Sequence, residues 1–348
     1  MNKIIAPISY MGSGSSAITG ILSEFSCNDT RSSDFEFVFL HCPNGVFDLE
    51  DKLLRYNNSL RSDEALHSFY QTMKDLFDKK YYWVGHYNEV VSPDFMTYVN
   101  DFISKIIQFK PEFYWYYQEN ADYKMIVKLI VRKLVYYGTF KRIQLKKPLL
   151  YPEMWISFVD EKTFYDEANM FIKKVFDALG YQDKNIVLDQ LLLPYNLNRV
   201  DHYFGDELRG IVVERDPRDV FISNKYFWKP NHEPIPYPTD VNVFCDYYRK
   251  MRRQEKPIET NKVLRIHFED LIYNYDQSIQ MICDFCEFSI DNQVNKRKSF
   301  NPDVSINNTQ LFRLNKEFEK EADIIKEKLA EYIYDFPYEY IPSSKLTF

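Results

Sequence analysis

Short apolar runs and longer stretches of 3.6-residue periodicity alternate along the chain. Residues 4–8 (Ile-Ile-Ala-Pro-Ile) read as a buried strand. The Gly/Ser stretch that follows leads into a helix with apolar positions at Ala17, Ile18, Ile21 and Leu22. Residues 35–40 (Phe-Glu-Phe-Val-Phe-Leu) are predicted as a second strand, ending in His41-Cys-Pro-Asn-Gly. Helical spacing then dominates at 49–55, 63–77, 95–109, 120–137 and 163–179, with Gly180 as a stop signal. Strand-like runs return at 185–190, 209–214 and 263–268, each followed by a helical pattern, at 198–202, 220–228 and 276–288. A charged amphipathic helix is predicted at 315–332, and 230–238 form a stiff proline-rich loop. Strands separated by helices imply an α/β protein, a parallel β-sheet flanked by helices on both faces. Residues 47–180 then form a large helical insertion in one domain of 348 residues, expected to wall one side of the acceptor site.

Composition adds exclusions. A net charge of −7 argues against a nucleic-acid binder, so a bound polyanion must meet a local cluster. Two such clusters are Lys141, Arg142, Lys146 and Lys147, and Arg249, Lys250, Arg252 and Arg253; each is also what a solvated surface looks like. Cys283 and Cys286 form a C-x-x-C, but within an amphipathic helical pattern and with no second pair, which argues against a metal or redox site. The helix at 125–137 is broken by Lys128, Arg132 and Lys133, so no transmembrane segment is expected. The start of the chain has no signal-peptide pattern, and a cytoplasmic location is expected. With 28 Tyr and 28 Phe the chain is rich in aromatics, through a general compositional bias or to line an acceptor cleft.

Two stretches carry candidate chemistry. Gly12, Ser13, Gly14, Ser15 and Ser16 lie between strand and helix, where backbone N–H groups and the positive end of a helix converge on an anion. No lysine follows Gly14, so this is not a nucleotide-triphosphate loop of the Gly-Lys-Ser/Thr kind. The second stretch is Arg215-Asp-Pro-Arg-Asp-Val-Phe-Ile-Ser223, at the end of an apolar strand. There Arg215 can grip a phosphate with its planar fork, and Ser223 opens onto the same side.

The second stretch resembles sulfotransferases that use 3′-phosphoadenosine 5′-phosphosulfate (PAPS). Their Arg-Asn/Asp-Pro-Arg/Lys-Asp-Val-x-x-Ser run is matched at Arg215, Asp216, Pro217, Arg218, Asp219, Val220 and Ser223. Ser13 to Ser16 is similar to the family's 5′-phosphosulfate loop, and His267-Phe-Glu-Asp-Leu271 to its aromatic-Glu-Asp-Leu run. Ser305 to Arg313 is similar to the segment that closes over the donor. The resemblance implies a P-loop NTPase-like fold of the sulfotransferase type, PAPS as donor, PAP (3′-phosphoadenosine 5′-phosphate) as product and no metal. It places the 5′-phosphosulfate on Gly12 to Ser16 and the 3′-phosphate on Arg215 and Ser223, with Arg313 in the closing segment. Transfer to a hydroxyl acceptor (glycan, glycolipid, sterol or other small molecule) needs a general base, and His41 and Asp189 compete, His41 first. The family usually carries Lys or Arg where this chain has Gly12. That departure keeps a non-catalytic nucleotide-binding module open beside the sulfotransferase, and a kinase-like enzyme is a third reading.

Overall fold

The computed structural model describes residues 2–30, 35–78, 84–111, 123–146, 153–228, 235–256, 258 and 260–337. Its centre is a five-stranded, wholly parallel sheet of order β2-β3-β1-β4-β5, formed by β1 (Ile4–Ser9), β2 (Asn28–Thr30), β3 (Asn185–Val187), β4 (Leu208–Glu214) and β5 (Val263–His267). Helix α1 (Ser15–Ser23) follows β1. Between β2 and β3 come α2 (Val46–Leu54), α3 (Ser59–Phe77), α4 (Tyr87–Val90), α5 (Phe95–Ile106), α6 (Tyr123–Gly138) and α7 (Glu161–Ala178). A short α8 (Val200–Tyr203) precedes β4, while α9 (Pro217–Ile222) and α10 (Val241–Arg252) separate β4 from β5. The chain closes through α11 (Asp270–Tyr273), α12 (Tyr275–Cys286), α13 (Pro302–Ser305) and α14 (Lys316–Lys328).

Both faces of the sheet are covered, as a parallel sheet requires. Ile4, Ala6 and Ile8 of β1 point into one core with α2, α3, α5 and α7. Ile5 points into the other, with α1 and α12. Val212 and its neighbours Ile211 and Val213 in β4 divide in the same way. A third core joins α9, α10 and α14. Much of the aromatic excess fills the first core, where Phe69, Phe95, Phe102, Phe164 and Phe171 are buried in mutual ring contact. In α1, Ile18, Ile21 and Leu22 are fully buried, each worth roughly 1.5–3 kcal/mol against exposure. They fix the helix, and with it the loop that precedes it.

The expected second strand at 35–40 is not one. Phe35, Phe37, Phe39 and Leu40 are all buried, but on irregular chain that turns at once, with His41 and Cys42 both donating to the Val38 carbonyl. A continuous apolar run satisfies burial equally well in a packed loop, so period alone cannot separate the two. The real β2 is the polar Asn28-Asp-Thr30, whose Asn28 Oδ1 accepts from Asn185 Nδ2 at 2.9 Å. Of the predicted 220–228 helix only the start is α-helical; Ser223–Trp228 is wound as a π-helix. The proline-rich stretch 230–238 lies mostly outside the described residues.

Candidate donor and catalytic site

Strands β1 and β4 are adjacent, yet their connections leave towards opposite sides of the sheet. Such a switch point opens a crevice beyond the strand ends. The loop after β1 and the Arg215 stretch after β4 meet there. Gly12 and Gly14 both adopt left-handed conformations (φ 78° and 102°), and at Gly14 an added Cβ would lie 3.0 Å from the Phe268 ring. Gly14 is the N-cap of α1 and no side chain among the described residues caps that helix; the Ala17 N–H turns back to the Gly14 carbonyl at 3.1 Å, and the Ser15 and Ser16 N–H groups ahead of it are placed to meet an anion. The three serines divide. Ser13 is buried and its hydroxyl faces the Tyr10 and Val213 carbonyls at 2.9 and 2.8 Å, so it clamps the loop to β4 rather than reaching into the crevice. Ser15 is buried against Asp189 and Gln190, just beyond the end of β3, and Ser16 is exposed.

Arg215 joins the two halves. Its Nη1 donates to the Gly12 carbonyl at 3.0 Å and its Nη2 to the Asn308 carbonyl at 2.7 Å, with Ser223 Oγ 3.4 Å from Nη2. The guanidinium lies 5.2 Å from the centre of the Phe268 ring. The other charged residues of the motif are architectural. Asp216 receives the Arg218 backbone and guanidinium and the Tyr334 N–H. Asp219, fully buried, accepts from the Gln310 and Leu311 N–H groups at 2.8 Å each. Burial, then the neighbouring Asp216, pushes the Asp219 carboxyl up. Glu269 is fully buried and accepts from the Asp216 N–H at 2.9 Å; desolvation first, then Asp216, raises it to about 8. The segment from 308 to 313 is thereby hooked onto the start of α9. Arg313 is on this segment and donates to Gln310 Oε1 at 2.8 Å.

The two candidate bases come together at the end of β3, although His41 does not end a strand. Its Nε2 is 2.7 Å from the Gln190 carbonyl, and burial lowers its pKa below the usual imidazole value. Asp189 is buried, and desolvation raises it to about 7 against the opposing pull of the Ser15 and Thr19 hydroxyls. Gln190 was not singled out by the sequence. It adopts φ 55°, strained for a non-glycine residue, and its Nε2 reaches Ser9 Oγ at 2.7 Å and Ser15 Oγ at 3.3 Å. Only the juxtaposition of β1 and β3 makes it part of the site. Phe268, Glu269 and Asn308 all lie within the His267 and Ser305 runs, but nothing in those runs assigns their contacts.

Buried polar groups ordinarily have partners. Here Arg215 Nε, Asn308 Oδ1, Asp189 Oδ1 and Gln190 Oε1 have none among the described residues. The orphaned Nε, together with the uncapped α1, fits an anionic donor. The described residues contain no group of three or more His, Cys, Asp or Glu that could hold a metal. Cys283 and Cys286 are buried in the core beneath α12, with burial pushing Cys283 up to about 12.

Residues 195–336 match the family described as the sulfotransferase domain. That stretch contains the Arg215 motif, the His267 run and the closing segment, so the resemblance they carry is to a sulfotransferase domain, while the Gly12 loop lies outside the match. No curated protein matches the chain significantly. Similar solved structures include the sulfotransferase domain from the curacin biosynthetic pathway, at 15% identity and TM-score 0.40, covering 97% of this chain and 99% of that one. The sulfotransferase domain of the Synechococcus PCC 7002 olefin synthase gives 15% identity and 0.42, over 97% and 96%. Sulfotransferase STF1 from Mycobacterium tuberculosis H37Rv gives 10% and 0.33, over 95% and 77%.

Proposed function

We propose that the chain is an enzyme that transfers a sulfuryl group from PAPS to a hydroxyl acceptor and releases PAP. The observation that carries this reading is Arg215, whose fork spans Gly12 of the loop, Ser223 and Asn308. On this reading Arg215 and Ser223 hold the 3′-phosphate, and the open N-terminus of α1 receives the 5′-phosphosulfate and the charge that develops as it departs. The acceptor oxygen forms its bond to sulfur as the bond from sulfur to the phosphate oxygen breaks. The hydroxyl proton passes to a base on the protein.

Between the two candidate bases, the observations favour Asp189. Its Oδ1 has no partner among the described residues, and burial brings its pKa to about 7, where a base combines availability with driving force. His41 spends Nε2 on the Gln190 carbonyl. With Asp189 as base the transfer rate climbs with pH through about 7 and the climb disappears in Asp189→Asn. A profile unchanged by Asp189→Asn and removed by His41→Gln returns the role to His41.

The donor reading is tested by thermal unfolding with PAP, ATP and AMP on wild type and Arg215→Ala. A ligand that binds only the folded state raises the melting temperature. A rise with PAP alone, lost in the variant, supports the sulfotransferase; an equal rise with ATP supports the kinase-like reading and overturns this one. Gly12 motivates a second reading, a module that binds nucleotide without catalysis, because the loop's own lysine or arginine is missing. It predicts the same rise with PAP but no transfer to any acceptor in a screen.

A further inference from the structure

Helix α6 carries its apolar face outward. Residues 123, 126, 127, 130, 131, 134 and 137 are all apolar or tyrosine, and at 100° per residue they fall in an arc of about 140°. This is the width of a face that is normally buried, yet Ile130 is 52% exposed and Leu134 and Tyr137 are each 66% exposed. None of these residues joins any of the three cores. Lys124 and Lys128 border the stripe on one side and Lys133 on the other.

The charge of the segment is as one-sided as its exposure. Residues 123–146 contain seven Lys or Arg and no Asp or Glu. The rest of the chain then holds 37 basic against 51 acidic side chains, a net charge of −14. Beyond α6 the chain reverses through Phe140 and Lys141, both at positive φ, and Arg132 Nε donates to the Leu145 carbonyl at 3.0 Å. A cavity of about 280 Å³ is lined there by Arg132, Lys133, Tyr136, Tyr137 and Gln144. No helix among the described residues is long and apolar enough to cross a membrane.

We propose that residues 123–146 dock the protein on a lipid bilayer carrying anionic headgroups, with the α6 stripe entering the interface and the flanking cations meeting the headgroups. The physics is that of an interfacial amphipathic helix, in which apolar burial and attraction to anionic lipid act together. The stripe also has the 4-3-4-3 spacing of a paired helix at residues 123, 127, 130, 134 and 137. A second copy, however, would bring two wholly cationic segments together with no acidic residue to pair across the seam. A nucleic acid would match the charge but offers no alkyl surface for Ile130 and Leu134. The occupant must therefore be apolar and anionic at once.

The test is flotation of the full chain with phosphatidylcholine vesicles, with and without phosphatidylglycerol, at low and high salt. Binding is expected only with phosphatidylglycerol and weakens with salt. Lys124→Gln/Lys128→Gln/Lys133→Gln lowers partitioning on the order of a hundredfold, taking about fivefold per cation near an anionic surface. Ile130→Ser/Leu134→Ser abolishes it on the same vesicles. Both variants keep the melting temperature of wild type, which separates lost docking from lost fold. No binding to anionic vesicles, or binding that neither variant changes, overturns the proposal. So does a dimer in sedimentation that Leu134→Ser dissolves without any vesicle binding.

Discussion

On the proposed reading, the two halves of the candidate donor site hold an anion by opposite means. The loop from Gly12 to Ser16 works through backbone: two glycines at positive φ, an uncapped helix, and a serine whose hydroxyl is spent on carbonyls of Tyr10 and Val213. The Arg215 stretch works through side chains, with one guanidinium touching three different parts of the chain. A backbone site tolerates side-chain change but not a change of conformation, whereas a side-chain site does the reverse. The acidic residues of the motif, Asp216 and Asp219, serve neither anion; they hold Tyr334, Gln310 and Leu311 in place. One short run thus supplies both the proposed ligand group, Arg215, and the fastening for residues 310, 311 and 334.

This contrast predicts a graded set of outcomes. The largest effect is expected for Arg215→Lys, which keeps the charge but loses the fork. Two charge-assisted bonds at roughly 1.5–3 kcal/mol each are removed, so affinity for PAP should fall at least about a hundredfold in calorimetric titration. A fall of only a few-fold would mean that charge alone suffices, and that the spanning geometry is incidental.

Gly14→Ala attacks the backbone half. A side chain at φ 102° is strained, and its Cβ would press on Phe268 at 3.0 Å. We expect a loss of about 2 kcal/mol in denaturant unfolding, the usual cost of left-handed backbone plus some crowding, with PAP binding weakened as well. Full stability in this variant would show that the loop is less constrained than its dihedral angles suggest.

Asp189→Asn tests stability against pH. Burial raises the folded-state pKa of Asp189 to about 7, above the 3.8 of a solvated aspartate, so between those values the folded protein retains a proton that the unfolded chain releases. Stability contributed by this group is therefore lost as pH rises through that window. The variant should melt higher than wild type at pH 8 and equally at a pH below 3.8. Equal melting at both would place Asp189 in a far better solvated setting. The smallest effect is expected for Ser223→Ala, whose hydroxyl is 3.4 Å from Arg215: about a tenfold loss of PAP affinity, the worth of one hydrogen bond, with no loss of stability.

Legibility followed the same division. The loop and the Arg215 run were readable as candidates because each is contiguous, with its glycines at a helix start and its arginine at a strand end. His41 and Asp189 were readable as candidates, but the strand assigned before His41 was wrong: the buried residues 35–40 satisfy their burial in a loop. The edge strand Asn28–Thr30 was missed because it is only three residues long and opens with two poor strand formers, Asn28 and Asp29, held by pairing with β3 and by the Asn28–Asn185 bond. Ser13 was read as a ligand from its place in the loop, and only the approach of β4 redirected its hydroxyl.

The sequence by itself determined the alternation of strands and helices, the direction in which β1 feeds a Gly/Ser turn into α1, and the chemistry of Arg215. These depend on residues near one another in the chain, where sterics and periodicity act locally. The tertiary structure alone decided that β1 lies between β3 and β4, and so which loops meet at the crevice. It also decided that Phe268 lies under Arg215, that Asp219 fastens residues 310 and 311, and that Gln190 links His41 to Ser15. Those contacts join positions 53 to 175 residues apart, and no local preference encodes a bond whose two ends are brought together only when the sheet assembles.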